Sequence, residues 1–211
     1  MKLILESWRQ YLKEEDADLG LARFIVRSNE IEGYDVDLEN AQFVVEKRGQ
    51  ELSDYDEYQL KLANSPYIQS HLDGLEAAKR GHRSVEDIKN IHSAMGQEVL
   101  EQGQAGALRS EPSQDVQSSH GFKYVPSEHV PEALSWWTKQ DWSDPFEGHA
   151  VYEMIHPFAD GNGRSGRIIL SATLKFNFSS VNSMIGEDYF SKLEAFNLKY
   201  QGEFWKNETP I

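Results

Sequence analysis

Apolar residues recur at helical spacing along nearly the whole chain. Ile4, Trp8, Tyr11 and Leu12 fall at i, i+4, i+7 and i+8 and share one face. Leu21, Ile25, Ser28 and Glu32 share another, with Gly33 as a stop signal, which predicts a helix over about 20–33. Asp37 caps a predicted helix running to about Lys47, and Gly49 ends it. Ser53 caps the next, which Pro66 breaks or kinks before a continuation to Lys79. Ser84-Val-Glu-Asp87 reads as a capping-box variant opening a helix through Leu100. Further helices are predicted over 128–139, 144–155, 163–176 and 187–200. Residues 102–126 lack the helical period and hold several Gly, Ser and Pro, with an extended piece at Gly121–Val125; a loop with a small β-hairpin is expected there. Segments of that length in compact domains are usually functional or disordered. Residues 207–211 are expected to fray.

The pattern is therefore mainly α. No repeat, low-complexity tract or linker divides the 211 residues, so one domain over 1–211 is expected. A hydrophobic content of 39% supports a packed core. The formal net charge of −14 argues against a broad surface for nucleic acid or anionic membrane. No apolar run approaches the ~20 residues of a membrane span. The apolar stretch at the start is too short for a secretory signal and soon meets Glu14, Glu15 and Asp16. The absence of cysteine excludes disulfides, thiol nucleophiles and thiolate metal sites. A cytoplasmic protein is the expectation.

The chemistry is concentrated in residues 156–167, His-Pro-Phe-Ala-Asp-Gly-Asn-Gly-Arg-Ser-Gly-Arg, followed by an apolar run suited to a buried helix. A loop opening onto a helix N-terminus offers free N–H groups and the positive end of the dipole to an anion. Gly161 and Gly163 let a phosphate approach the backbone. His156 is placed to take a proton from an incoming hydroxyl. Asp160 is a hard oxygen ligand of the kind Mg²⁺ shares with substrate phosphates. Arg164 and Arg167, three apart, reach phosphate oxygens from one face. In so acidic a chain they mark a local positive spot. His71, His82, His92, His120 and His129 read as structural, and Trp136, Trp137 and Trp142 as packing residues. His149 and His156 are seven apart, which is not the spacing of a zinc helix.

The stretch resembles the Fic family signature, His-Pro-Phe-x-Asp/Glu-Gly-Asn-Gly-Arg-x-x-Arg, at every specified position. The likeness is specific over 143–177 and extends toward 84, where Gly106-Ala-Leu-Arg109 resembles the Gly-x-x-Arg segment before the family's flap. Residues 28–33, Ser28-Asn29-Glu30-Ile31-Glu32-Gly33, resemble the family's inhibitory pattern Ser/Thr-x-x-x-Glu-Gly/Asn. The resemblance implies the helical Fic (Fido) fold with a β-hairpin flap, its core over about 84–200, and an N-terminal inhibitory helix. It implies transfer of AMP from ATP to a Ser, Thr or Tyr hydroxyl of a target protein, the chain itself being one candidate. In that reaction His156 is the base, Asp160 holds Mg²⁺, and Gly161, Asn162 and Gly163 cradle the phosphates. Arg164 steadies the β-phosphate and Arg167 the γ-phosphate. Pairing of Glu32 with Arg167 would make the free protein self-inhibited, and the flap within 110–126 would register an extended target segment by strand addition. The same residues serve removal of AMP or transfer of another phosphate-containing group. A regulatory module that binds ATP without transfer is the alternative outside enzymes. The sequence leaves the oligomeric state open.

Overall fold

The computed structural model describes residues 17–116 and 121–200. The face formed by Ile4, Trp8, Tyr11 and Leu12 and the expectation for 207–211 lie outside those residues. Helix α1 is helical over 17–30 and ends in a turn at 31–33. There follow α2 (Leu38–Lys47), α3 (Asp54–Ala63), α4 (Pro66–Arg80), α5 (Val85–Gly96), α6 (Val130–Trp137), α7 (Pro145–Ile155), α8 (Asn162–Thr173), α9 (Phe178–Met184) and α10 (Tyr189–Tyr200). The starts are set by side-chain caps. Asp37, Ser53 and Asp144 each accept a backbone N–H of the first turn, and Ser84 with Asp87 forms a reciprocal capping box.

Two helices form the middle of the molecule. Every residue of α7 from Gly148 to Ile155 is buried, and so is nearly all of α8. A helix buried on all sides needs neighbours all round. Helices α6 and α10 pack on α7, and α4 and α5 pack on α8. The signature loop therefore joins the two most enclosed helices, which hold its ends rigidly. Helix α1 is part of the same core, with Ala22, Phe24 and Ile25 fully buried.

Of the two outcomes expected at Pro66 the structure shows the break: α3 ends at Ala63, and Pro66 is the first residue of α4, capped by Ser65, where its missing N–H costs nothing. Helix α9, capped by Asn177, lies between the helices predicted over 163–176 and 187–200, where none was predicted. No hairpin occurs among the described residues of 102–126. That segment has a 3₁₀ turn at Pro112–Gln114 and one isolated bridge, Leu108 to Phe158. Its polar backbone is spent elsewhere. Val125 N–H donates to the Met154 carbonyl (3.0 Å), and the Asn197 amide holds both Lys123 N–H (3.2 Å) and Lys123 C=O (3.0 Å). Among the described residues no helix is long and apolar enough to cross a membrane.

Candidate active site

Helix α7 stops at residue 156, which takes a left-handed conformation (φ 51°, ψ 61°). For a residue other than glycine this costs on the order of 1 kcal/mol, so its surroundings must impose it. The His156 Nδ1 lies 3.3 Å from the Glu153 carbonyl oxygen. Assigning the proton to Nδ1 satisfies that oxygen and leaves the Nε2 lone pair for an incoming proton. Burial, then the nearby Arg109 charge, pushes the imidazole down to about 4, so it is neutral at pH 7. The Tyr124 ring stacks on it at 3.9 Å between centroids.

The loop is braced from below. His92 stacks on the fully buried Phe158 at 3.6 Å. Gly106 N–H donates to His92 Nδ1 (2.9 Å), so Nε2 carries the proton and donates to the Asp160 carbonyl (2.8 Å). The Asn162 amide closes a ring on Phe158, accepting its N–H and donating to its C=O, both at 2.8 Å. Its side chain thus helps to set the loop shape. The two glycines also part ways. Gly161 caps α8 at φ 75°, and a Cβ there would meet Met95 and His92 beneath the loop. A Cβ on Gly163 would meet the Glu32 carboxylate and the Arg167 guanidinium, on the open side.

The two arginines differ in what they touch. Arg164 is 1% exposed, yet its Nε and Nη1 have no protein acceptor. Its Nη2 lies 3.7 Å from the Asp160 carboxylate, which is over half exposed. Tyr34 covers the guanidinium (5.2 Å to the ring centroid) and itself stacks on Tyr67 at 4.3 Å. Buried donors left unpaired are costly, and an anion is the group that would satisfy them. Arg167 is fully engaged. Its Nε donates to Ser28 Oγ (2.9 Å), and its Nη2 donates to Ser28 C=O (2.9 Å) and to Glu32 Oε1 (2.6 Å). Burial works against the charge of Arg167, but the Glu32 carboxylate more than restores it. For Glu32 the same pairing outweighs burial and holds its carboxyl below the ordinary range. His71 donates from Nδ1 to the Tyr67 carbonyl (3.0 Å) and accepts the Ser28 hydroxyl at Nε2 (2.9 Å), which fixes Ser28 as an acceptor for Arg167.

A cavity of about 320 Å³ opens between these groups, lined by Glu32, Tyr124, Glu153, His156, Gly163 and Arg167. Glu153 is buried in its wall, and burial pushes its carboxyl up to about 8. His149 does not join His156; its Nε2 contacts the Tyr189 hydroxyl at 2.8 Å. Among the described residues no three His, Asp or Glu side chains are grouped to hold a metal. A single exposed carboxylate such as Asp160 suits a hard divalent cation only when phosphates supply further ligands. The structure thus brings together His156, Asp160, Gly163, Arg164, Arg167, Ser28 and Glu32. It adds Tyr34, His71, His92, Arg109, Tyr124 and Glu153, for which spacing gave no signal except at Arg109, set off by Gly106.

Residues 83–174 match a model described as the Fic/DOC family. Over 29 residues the chain is 62% identical to a probable protein adenylyltransferase of Aquifex aeolicus (strain VF5), a match spanning 14% of this chain and 9% of that protein. The chain superposes on a Fic family protein from Desulfovibrio desulfuricans G20 with a TM-score of 0.63 at 21% identity, over 94% of this chain and 63% of the other. A Fic domain containing signaling protein from Bacteroides thetaiotaomicron VPI-5482 gives 0.57 at 20% identity, over 88% and 74%. At these identities the structural likeness shows a shared fold.

Proposed function

This chain belongs to the Fic/DOC family through residues 83–174, and from that premise we propose that it is a protein adenylyltransferase restrained by its own N-terminal helix. It transfers AMP from ATP to a Ser, Thr or Tyr hydroxyl of a target protein. The hydroxyl oxygen bonds to the α-phosphorus, the bond from that phosphorus to the β-phosphate oxygen breaks, and pyrophosphate leaves. His156 takes the hydroxyl proton at Nε2, the ring nitrogen not directed at Glu153. The backbone at the α8 N-terminus faces the phosphates, and Arg164 and Arg167 balance charge on the departing pyrophosphate. Asp160 would hold Mg²⁺, which when bound neutralises charge on the leaving group. The observation that carries this reading is Arg164, a buried guanidinium with two unanswered donors in the first turn of α8, in the signature stretch that His156 opens.

The restraint comes from Glu32. Its carboxylate takes the Arg167 donor that a γ-phosphate oxygen would accept, and it occupies the space that Gly163 leaves open. ATP can then enter only with its phosphates displaced from the line of attack. The test is intact-mass spectrometry of the parent and Glu32→Gly proteins after incubation with Mg²⁺ and ATP. A gain of one AMP mass, larger in the variant, is expected. No gain in either protein, with other nucleotides and candidate targets also tried, would overturn the transferase reading.

A further inference from the structure

The end of α7 poses a problem that only one side chain solves. A helix leaves its last carbonyls without partners, and here the chain turns left-handed directly afterwards. Tyr152 C=O accepts the His156 N–H, and Glu153 C=O accepts the His156 ring proton. Met154 C=O accepts Val125 N–H. The next three carbonyls all go to one residue. Arg109 Nη2 donates to Ile155 C=O (3.2 Å), Arg109 Nε to His156 C=O (2.8 Å), and the Arg109 N–H to Pro157 C=O (2.9 Å). The same guanidinium donates to Val125 C=O (3.1 Å) and to Ser127 Oγ (2.6 Å). Arg109 is 1% exposed, and the nearest carboxylate, Asp115, is 3.7 Å away and turned to solvent. A cation at the negative end of a helix is favoured by the dipole, and the desolvation of this one is met by carbonyls that the turn would otherwise leave unpaired.

We propose that Arg109 is the positioning residue of the base: its guanidinium closes α7, fixes residue 156 in the left-handed turn, and presents the imidazole to the cavity with Nε2 unprotonated. This role rests on His156 being the base of the proposed transfer. The fork does two separable things. Its geometry holds the turn that aims Nδ1–H at Glu153 C=O. Its positive charge opposes protonation of the ring. The other groups around His156 are Glu32, which favours protonation, the stacked Tyr124, and Glu153 and Arg167 in the same cavity wall. Because Val125 and Ser127 share the guanidinium, the segment that crosses the cavity is registered against the base by the same side chain.

The test is nitrogen NMR of the full chain with ¹⁵N-labelled histidine, read at the His156 ring between pH 8 and 4.5, alongside transfer kinetics. The parent should show one tautomer, with Nε2 unprotonated and no titration above pH 5. Arg109→Gln should show mixed tautomers and a titration moved upward from the parent's. Its kcat should fall about a hundredfold, the scale of a misplaced catalytic group, with KM for ATP within about twofold. Arg109→Lys restores the charge but not the fork, so its titration should return toward the parent while the tautomers stay mixed. A folded Arg109→Gln protein with the parent's tautomer and titration would overturn the proposal. Should that variant fail to fold, a parent-like tautomer in Arg109→Lys would overturn it equally. If the ring responds as expected but no variant, the parent included, transfers AMP, the positioning role stands and the transferase reading fails.

Discussion

Exchanging Glu32 for glutamine keeps the side chain's size and removes the charge facing Arg167. In the parent, a 2.6 Å charge-assisted hydrogen bond runs from a fully enclosed guanidinium to a carboxylate whose side chain is one-third exposed. Hydrogen bonds to charged groups contribute about 1.5–3 kcal/mol, and partial exposure places this one at the low end, about 1.5 kcal/mol. Each 1.4 kcal/mol is about tenfold in an equilibrium. The pairing should therefore keep roughly nine molecules in ten in the restrained arrangement, and Glu32→Gln should raise self-modification at subsaturating ATP about tenfold. Glu32→Gly, which also removes the neutral acceptor, should exceed Glu32→Gln. The assay is the initial rate of AMP incorporation by intact mass, with ATP affinity measured by calorimetry. Both variants matching the parent rate while binding ATP equally well would refute the reasoning.

His156→Ala should abolish transfer and leave ATP affinity within about threefold, since the base acts on the acceptor; transfer at the parent rate would remove His156 from its role. Gly163→Ala places a Cβ 2.8 Å from Arg167 Nη1 and against the Glu32 carboxylate. Overpacking of this kind costs about 1–3 kcal/mol, so ATP affinity should drop about tenfold, and adding Glu32→Gly should not restore transfer; full activity in the double variant would sink this account of Gly163. Stability should fall on the acid side well before the carboxylates titrate. Burial pushes His71 and His149 down to about 3, and His92 and His156 down to about 4. These rings stay neutral when folded and protonate when unfolded, so their contribution is complete above pH ~6.5 and is lost as pH falls, each by up to about 1.4 kcal/mol per pH unit. Glu153, pushed up to about 8, acts in the opposite sense but alone. The urea midpoint should thus be lower at pH 5 than at pH 7, and equal midpoints would contradict the neutral-imidazole assignment.

The helices were legible because their starts are written in local chemistry: Asp37, Ser53, Ser84 and Asp144 cap where their spacing to the apolar faces demands it. The signature was legible because loop, base and arginines are contiguous in sequence. The face shared by Ser28 and Glu32 was legible too, through Leu21 and Ile25. What escaped were interactions between distant segments. Nothing near Tyr34 says that its ring covers Arg164, and nothing near His71 says that it sets the Ser28 hydroxyl. Asn162 has a second task that escaped for a related reason. Its position in a phosphate loop suggests a role in holding ligand, and its amide also makes a reciprocal pair of hydrogen bonds with Phe158 four residues earlier, which the spacing did not announce. Among the described residues of the expected hairpin segment, Lys123 and Val125 find backbone partners on α10 and α7.

Helix α1 holds Arg167 by three acceptors, and only one of them is Glu32; the other two are the hydroxyl and carbonyl of Ser28. The helix is also masonry, with Phe24 and Ile25 walled into the core. Under the proposed restraint by Glu32, an activating signal therefore has no need to pull the helix away, and doing so would strip a supporting wall along with the restraint. Under that proposal the only piece that needs to move is the turn at residues 31–33 with the adjoining Tyr34, since it carries both Glu32 and the ring over Arg164. Swinging that turn outward would uncover both arginines in one stroke while Ser28 keeps Arg167 aimed. The proposed control works like a bolt in a fixed door frame, and cutting away the frame is not equivalent to drawing the bolt.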